Sequence, residues 1–224
     1  MLPGVKLQVN EKVYLKDPEQ SELGRRIVSE SVHMIDELGF EHFTFRKLAC
    51  QIHSTEASVY RYFESKHKLL LYLASWYWAW LSYCLAFKLA NILSPKERLG
   101  IALDLLTEQV EEDRNYAHIN KVKLFRIITS ESSKSYLVKE VDQENKEGVF
   151  TGYKQLVAKV SDIILEINPA YKYPHMLIST VIEGAHHQYY FAEHLPRLTN
   201  VVKGENAIKD FYKEIVFKAI GENK

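Results

Sequence analysis

Glycine and proline are scarce in this chain, 9 and 6 of 224 residues, and no glycine-rich phosphate loop or activated-nucleophile motif occurs. A chain so poor in turn formers and so rich in Leu, Glu, Lys and Ala favours helices, and no segment alternates with period two as a strand does. Cysteine is limited to Cys50 and Cys84, which excludes a disulfide framework and reads as two reduced thiols in a cytoplasmic protein. Net charge is absent too, because 29 basic side chains balance 29 acidic ones. No global basic field therefore exists, and any nucleic-acid contact must rest on local charge placement. The start, MLPGVKLQVNEKVYLKDPEQ, lacks the basic and apolar regions of a signal peptide and reads as a partly disordered lead-in.

One long hydrophobic run is present. Leu69 to Phe87 contains 19 residues without a charge, between Lys66 and Lys68 on one side and Lys88 on the other. That length spans a bilayer. Its Trp and Tyr residues are spread along the run rather than gathered at two interfaces, which favours the core helix of a larger helical protein.

Helical periodicity organises the rest. Leu23, Ile27, Val28, Ile35 and Leu38 mark a first helix that Gly39 ends. Thr44 caps a short second helix over Phe45–Ile52, and after a break at His53-Ser54, Thr55 caps a third that reaches Phe63. Ser94-Pro95-Lys96-Glu97 opens another helix with a capping box. Further helical patterns cover about 119–129, 136–141, 146–167, 174–194 and 205–220.

Two short helices separated by a tight break, behind a supporting helix, make a helix-turn-helix between Thr44 and Phe63. Base readout needs small polar residues at the start of the second short helix, and Thr55, Glu56, Ala57 and Ser58 supply them. Arg25, Arg26, Arg46, Lys47, Arg61, Lys66 and Lys68 sit near helix ends, where cations neutralise phosphates.

These residues resemble the TetR-like transcriptional regulators. The likeness runs through Ile27-Val28, Gly39-Phe40, Thr44-Phe45-Arg46-Lys47-Leu48-Ala49, Thr55, Ser58-Val59-Tyr60-Arg61-Tyr62-Phe63, Ser65-Lys66 and Leu69-Leu70. The resemblance implies an all-α homodimer: a flexible lead-in over 1–20, a three-helix DNA-binding domain over 21–66, and a helical effector-binding and dimerisation domain over 67–224. It assigns Thr44, Ser58, Tyr60 and Lys66 to phosphates, and Glu56, Ala57, Arg61 and Tyr62 to bases or nearby backbone. It also implies a dimer interface on the last two long helices, with Ile208, Phe211, Tyr212 and Ile215 on the final one. The chain departs from the family where a turn glycine is usual, carrying His53, and Glu56 sets an acid at the start of the recognition helix.

Aromatics at helical spacing are ordinary core, yet a large effector pocket also has apolar walls with a few polar groups. Trp76, Trp80, Tyr83, Cys84 and Phe87, with Phe125, Tyr153 and His187, are the expected pocket, for a small apolar or aromatic effector. Glu-x-x-His recurs at Glu30–His33, Glu64–His67 and Glu183–His186, a spacing that builds di-iron sites in helix bundles. The further inward Glu residues such a site requires are not identifiable, so no catalytic residue, metal or cofactor is expected. The first expectation is a repressor that binds operator DNA. The alternatives are a sensor of the same architecture without specific DNA binding and, less favoured, a helical metalloenzyme.

Overall fold

A computed structural model describes residues 7–110, 118–201 and 206–221. Every regular element among them is helical, and they divide into two compact units. One takes in the chain to Ala79 together with 110–151, and the other holds 80–109 and the chain from Gly152.

The first unit begins with α1 (Glu22–Leu38), α2 (Phe45–Gln51), α3 (Glu56–Tyr60) and the first part of α4 (Lys66–Leu89). Ile27, Val28, Val32 and Ile35 follow a helical period on α1 and are buried, as are Phe43, Leu48, Val59 and Phe63 of the segments that follow. Each such side chain contributes about 1.5–3 kcal/mol relative to exposure. Local capping sets the boundaries: Ser21, Thr44 and Thr55 accept from the backbone N–H of Gly24, Lys47 and Ser58, at about 1 kcal/mol each. Gly39 ends α1 with φ +76°.

The later part of the first unit contains α6 (Lys121–Glu131), α7 (Ser133–Tyr136) and α8 (Val141–Lys146), after α5 (Pro95–Thr107) of the second unit. Here α1 packs on α6, and the Arg126 guanidinium donates to both oxygens of Asp36 at 2.7 and 2.6 Å. Glu144, buried on α8, accepts from His67 at 3.0 Å and Lys68 at 3.1 Å. The helix expected over 136–141 does not form, since those residues join α7 to α8. The next helix starts at Thr151 rather than 146, because Gly148 turns the chain with φ +79°.

Residues 7–20, expected as a flexible lead-in, are built into this unit. Val13 and Pro18 are buried. The Asn10 amide donates to the Glu147 carbonyl at 3.0 Å, and the Leu15 N–H donates to the Tyr62 carbonyl at 2.8 Å. The Glu19 carboxylate accepts from the Tyr72 hydroxyl at 3.2 Å and meets His118 Nε2 at 2.8 Å. Burial and the neighbouring Glu19 charge push the Tyr72 hydroxyl far up from its ordinary pKa.

In the second unit α5, α10 (Pro174–His194) and α11 (Ala207–Ala219) pack together, with α9 (Thr151–Ile167) adding Leu156, Val160, Ile163 and Ile164 to the buried set. Lys209 and Lys213 of α11 reach the Asp104 carboxylate of α5 at 3.3 and 2.7 Å. Gly184 lets the Tyr212 ring lie directly on α10, because a Cβ there would stand 2.1 Å from its hydroxyl oxygen.

Among the described residues one helix, α4, is long and apolar enough to cross a membrane by length and composition, and most of that stretch is buried inside the protein.

Candidate DNA-binding face

The turn between α2 and α3 carries the chain's sequence departure. His53 has φ +50°, a left-handed conformation that costs a non-glycine residue on the order of 1 kcal/mol. Its N–H donates to the Cys50 carbonyl and the following Ser54 N–H to Ala49, both closing the turn. Replacing His53 with Gly is expected to raise stability by up to about 1 kcal/mol, while Val, β-branched and intolerant of positive φ, lowers it by about 1–3 kcal/mol. Urea unfolding of the two variants checks this; equal stabilities would show that the turn does not demand a left-handed residue.

This turn leaves α3 with two unlike faces. Val59, Tyr62 and Phe63, within and just beyond the helix, are buried; Glu56, Ala57, Tyr60 and Arg61 are exposed. Thr44, Arg46 and Thr55 are exposed beside them, and half-buried Ser58 hydrogen-bonds through its hydroxyl to that of Thr55 at 2.8 Å. Tyr60 packs edge-on against Phe45 at 5.1 Å between ring centroids, so its ring is held at the surface.

Two residues assigned to DNA by resemblance are engaged by the protein. Tyr62 is 3% exposed, and its hydroxyl lies 2.7 Å from that of Ser21. It therefore ties the end of α3 to the start of α1 rather than facing bases. The Lys66 ammonium donates to the carbonyls of Phe40 at 3.1 Å and Glu41 at 3.3 Å, above the Phe40 ring.

Four other cations are engaged within the protein as well. Arg25 donates to the Glu19 carbonyl, Arg26 to that of Ile52 and Lys47 to that of His42, while Lys68 is paired with Glu144. Of the seven cations the sequence offers to phosphates, Arg46 and Arg61 alone show no protein acceptor among the described residues.

The expected effector residues are divided between the units. Trp76 and Phe125 belong to the first; Trp80, Tyr83, Cys84, Phe87, Tyr153 and His187 belong to the second. Trp76, Trp80, Tyr83, Cys84 and Tyr153 are half-buried and Phe125 is buried. Phe87 is 74% exposed and no wall of an interior site, because the buried stripe of α4 runs through Tyr77, Trp78, Leu81 and Leu85 instead. His187 is exposed too, its ring stacked on Phe191. Beside it His186 is buried, and that burial, with His187 adding, lowers its pKa to about 4. The Tyr153 hydroxyl donates to Glu183 at 2.9 Å.

Of the dimer residues, Phe211 and Ile215 are exposed on α11, with Met176 and Tyr190 exposed on α10. Ile208 and Tyr212 are buried, Tyr212 against Gly184 of α10, while Phe211 and Ile215 lie beside them on the exposed edge of the same broad apolar face. No group of three His, Cys, Asp or Glu residues suited to a metal occurs among the described residues. His67, spaced for a site with Glu64, meets Glu144 instead.

Residues 27–73 match the family model of the bacterial regulatory proteins, tetR family. No curated protein sequence matches the chain. Among solved structures the fold is similar to the fatty acid degradation regulator FadR from Bacillus halodurans, at 16% identity and a TM-score of 0.59 over 89% of this chain and 95% of that one. It is similar to the superantigen PfiT at 13% identity and a TM-score of 0.58 over 93% and 100%. A third likeness is to the ketosteroid transcriptional regulator KstR2 of Mycobacterium tuberculosis, at 14% identity and a TM-score of 0.52 over 97% of each chain.

Proposed function

From the match of residues 27–73 to the model of the bacterial regulatory proteins, tetR family, we propose that the chain is a cytoplasmic, dimeric, DNA-binding repressor of that family, released by a small effector. The observation that carries this reading is the two-faced α3, which buries Val59 and presents Glu56, Ala57, Tyr60 and Arg61 outward. Arg61 is the cation for a base edge or phosphate, and Ala57 is small enough for close approach of the helix to the groove wall. Thr44, Thr55 and Ser58 add hydroxyls for phosphate oxygens, and Arg46 adds charge.

A second copy covers the exposed Phe211, Ile215, Met176 and Tyr190 stripe of α10 and α11 and brings two recognition helices roughly 34 Å apart, one turn of the duplex. The effector, mainly apolar or aromatic, binds the carboxy-terminal helical unit. It must prefer one spacing of the heads, and DNA must then weaken its binding by the same factor.

Exposed Glu56 favours a second reading, a sensor without specific DNA binding, since a carboxylate at the start of α3 repels phosphate. Selection of bound duplexes from the source genome separates the two. The repressor binds at least one fragment with a steep salt dependence, and Arg61→Ala weakens that binding tenfold or more. Absence of salt-sensitive binding to any fragment establishes the second reading.

A further inference from the structure

We propose that Lys16, carried by the segment preceding α1, is an additional phosphate-contacting residue of the DNA interface. This inference rests on the DNA-binding reading above and extends it beyond the helix-turn-helix.

The segment holds Lys16 at the end of the recognition helix. Leu15, its neighbour, donates its N–H to the carbonyl of Tyr62 at 2.8 Å. The Lys16 ammonium sits 5.2 Å from the centroid of the Tyr62 ring, one residue past exposed Arg61. Three anchors keep the segment there. Glu19 is fixed by Tyr72 and His118, the Asn10 amide by the Glu147 carbonyl, and the backbone of Pro18 by close packing on Gly24.

The ammonium is exposed and has no carboxylate or carbonyl acceptor among the described residues, unlike those of Lys47, Lys66 and Lys68. The oxygens of adjacent Asp17 accept from the Glu19 N–H at 2.9 Å and the Gln20 amide at 3.1 Å. Glu22, at the start of α1, and Glu64, ahead of α4, are exposed to solvent.

Groove dimensions supply the rest. A major groove about 12 Å wide closes on a helix about 10 Å across, so its phosphate walls pass within side-chain reach of the helix flanks and ends. A free ammonium beside the last turn of α3 meets the wall that passes that end. The head's shortage of unengaged cations makes this contact a large fraction of the total.

The test uses the full chain and a duplex obtained by the selection above, with affinity measured across a salt series. Lys16→Met is expected to lower affinity about fivefold near physiological salt and to reduce the slope of log affinity against log salt by about 0.9. Lys16→Glu, which replaces attraction with repulsion, is expected to lower it by more than tenfold, and Lys16→Arg to retain both affinity and slope. Unchanged slopes for the Met and Glu variants overturn the proposal, as does a loss of affinity that is independent of salt, which assigns Lys16 to propping Tyr62. The wild-type chain and Arg61→Ala are the separate controls: if the wild-type chain binds no duplex, the DNA-binding reading itself has failed, whereas intact binding by Arg61→Ala removes only that residue's contact.

Discussion

Acidifying the protein from pH 7.5 to 4.5 is expected to remove about 2.5 kcal/mol of stability through His186 alone. Burial on α10 holds this imidazole neutral, with its pKa lowered to about 4 from an ordinary 6.5, and His187 adds electrostatic opposition to a second charge. The unfolded chain therefore binds a proton at His186 over a range where the folded chain does not. Stability rises with pH wherever the unfolded state holds more protons. The contribution is complete above pH 6.5 and is lost as pH falls from there towards 4. At 1.36 kcal/mol for each unit of displacement the full difference is about 3 kcal/mol. Urea unfolding at several pH values, on wild type and His186→Gln, measures it. The variant is expected to lose the portion of acid sensitivity that lies between pH 6.5 and 4. Identical pH profiles for the two proteins would rule out a buried neutral His186.

What was readable in the sequence is what local chemistry decides. Thr44 and Thr55 cap helices through bonds spanning three residues, and each acts where its sequence context placed it. The Ile27, Val28 and Ile35 stripe needed only a helical period to be recognised as core. His53 announced a strained turn because the position wants glycine, and its φ of +50° realises that strain.

Long-range pairing was not readable. The segment before α1 carries turn residues and charges that read as solvated chain, yet its partners are Tyr62, Tyr72, His118 and Glu147, dozens of residues away. A backbone bond such as Leu15 to Tyr62 leaves no side-chain pattern to find. The same limit explains Lys66. A lysine near a helix end suits a phosphate, but only the fold reveals that the carbonyls of Phe40 and Glu41 lie within its reach. On α11 the apolar face is broad enough to serve two surfaces. Period alone could not divide Ile208 and Tyr212, which pack inward, from Phe211 and Ile215, which stay exposed.

One chemical change at two glycines should move stability in opposite directions. Gly24 on α1 lies beneath the Pro18 backbone, and a methyl group there would stand 2.3 Å from the Pro18 carbonyl oxygen and 2.6 Å from its Cα. Neither atom belongs to a side chain that can swing away, so Gly24→Ala must push the segment off α1. The Leu15 bond to Tyr62 and the Glu19 contacts with Tyr72 and His118 are strained together. Overpacking of this kind costs about 1–3 kcal/mol, and in a chain this long each kcal/mol lowers the melting temperature by about 2–4 °C. Gly100, inside α5, has nothing within 4 Å of the added methyl. There the substitution removes only the flexibility that glycine brings to a helix, and Gly100→Ala is expected to stabilise by about 0.5–1 kcal/mol. Thermal unfolding of both variants provides the comparison. A Gly24→Ala protein as stable as the Gly100→Ala protein would mean that residues 17–20 do not lie on α1. Loss confined to Gly24→Ala would tie the segment that carries Lys16 to the stability of the DNA-binding unit itself.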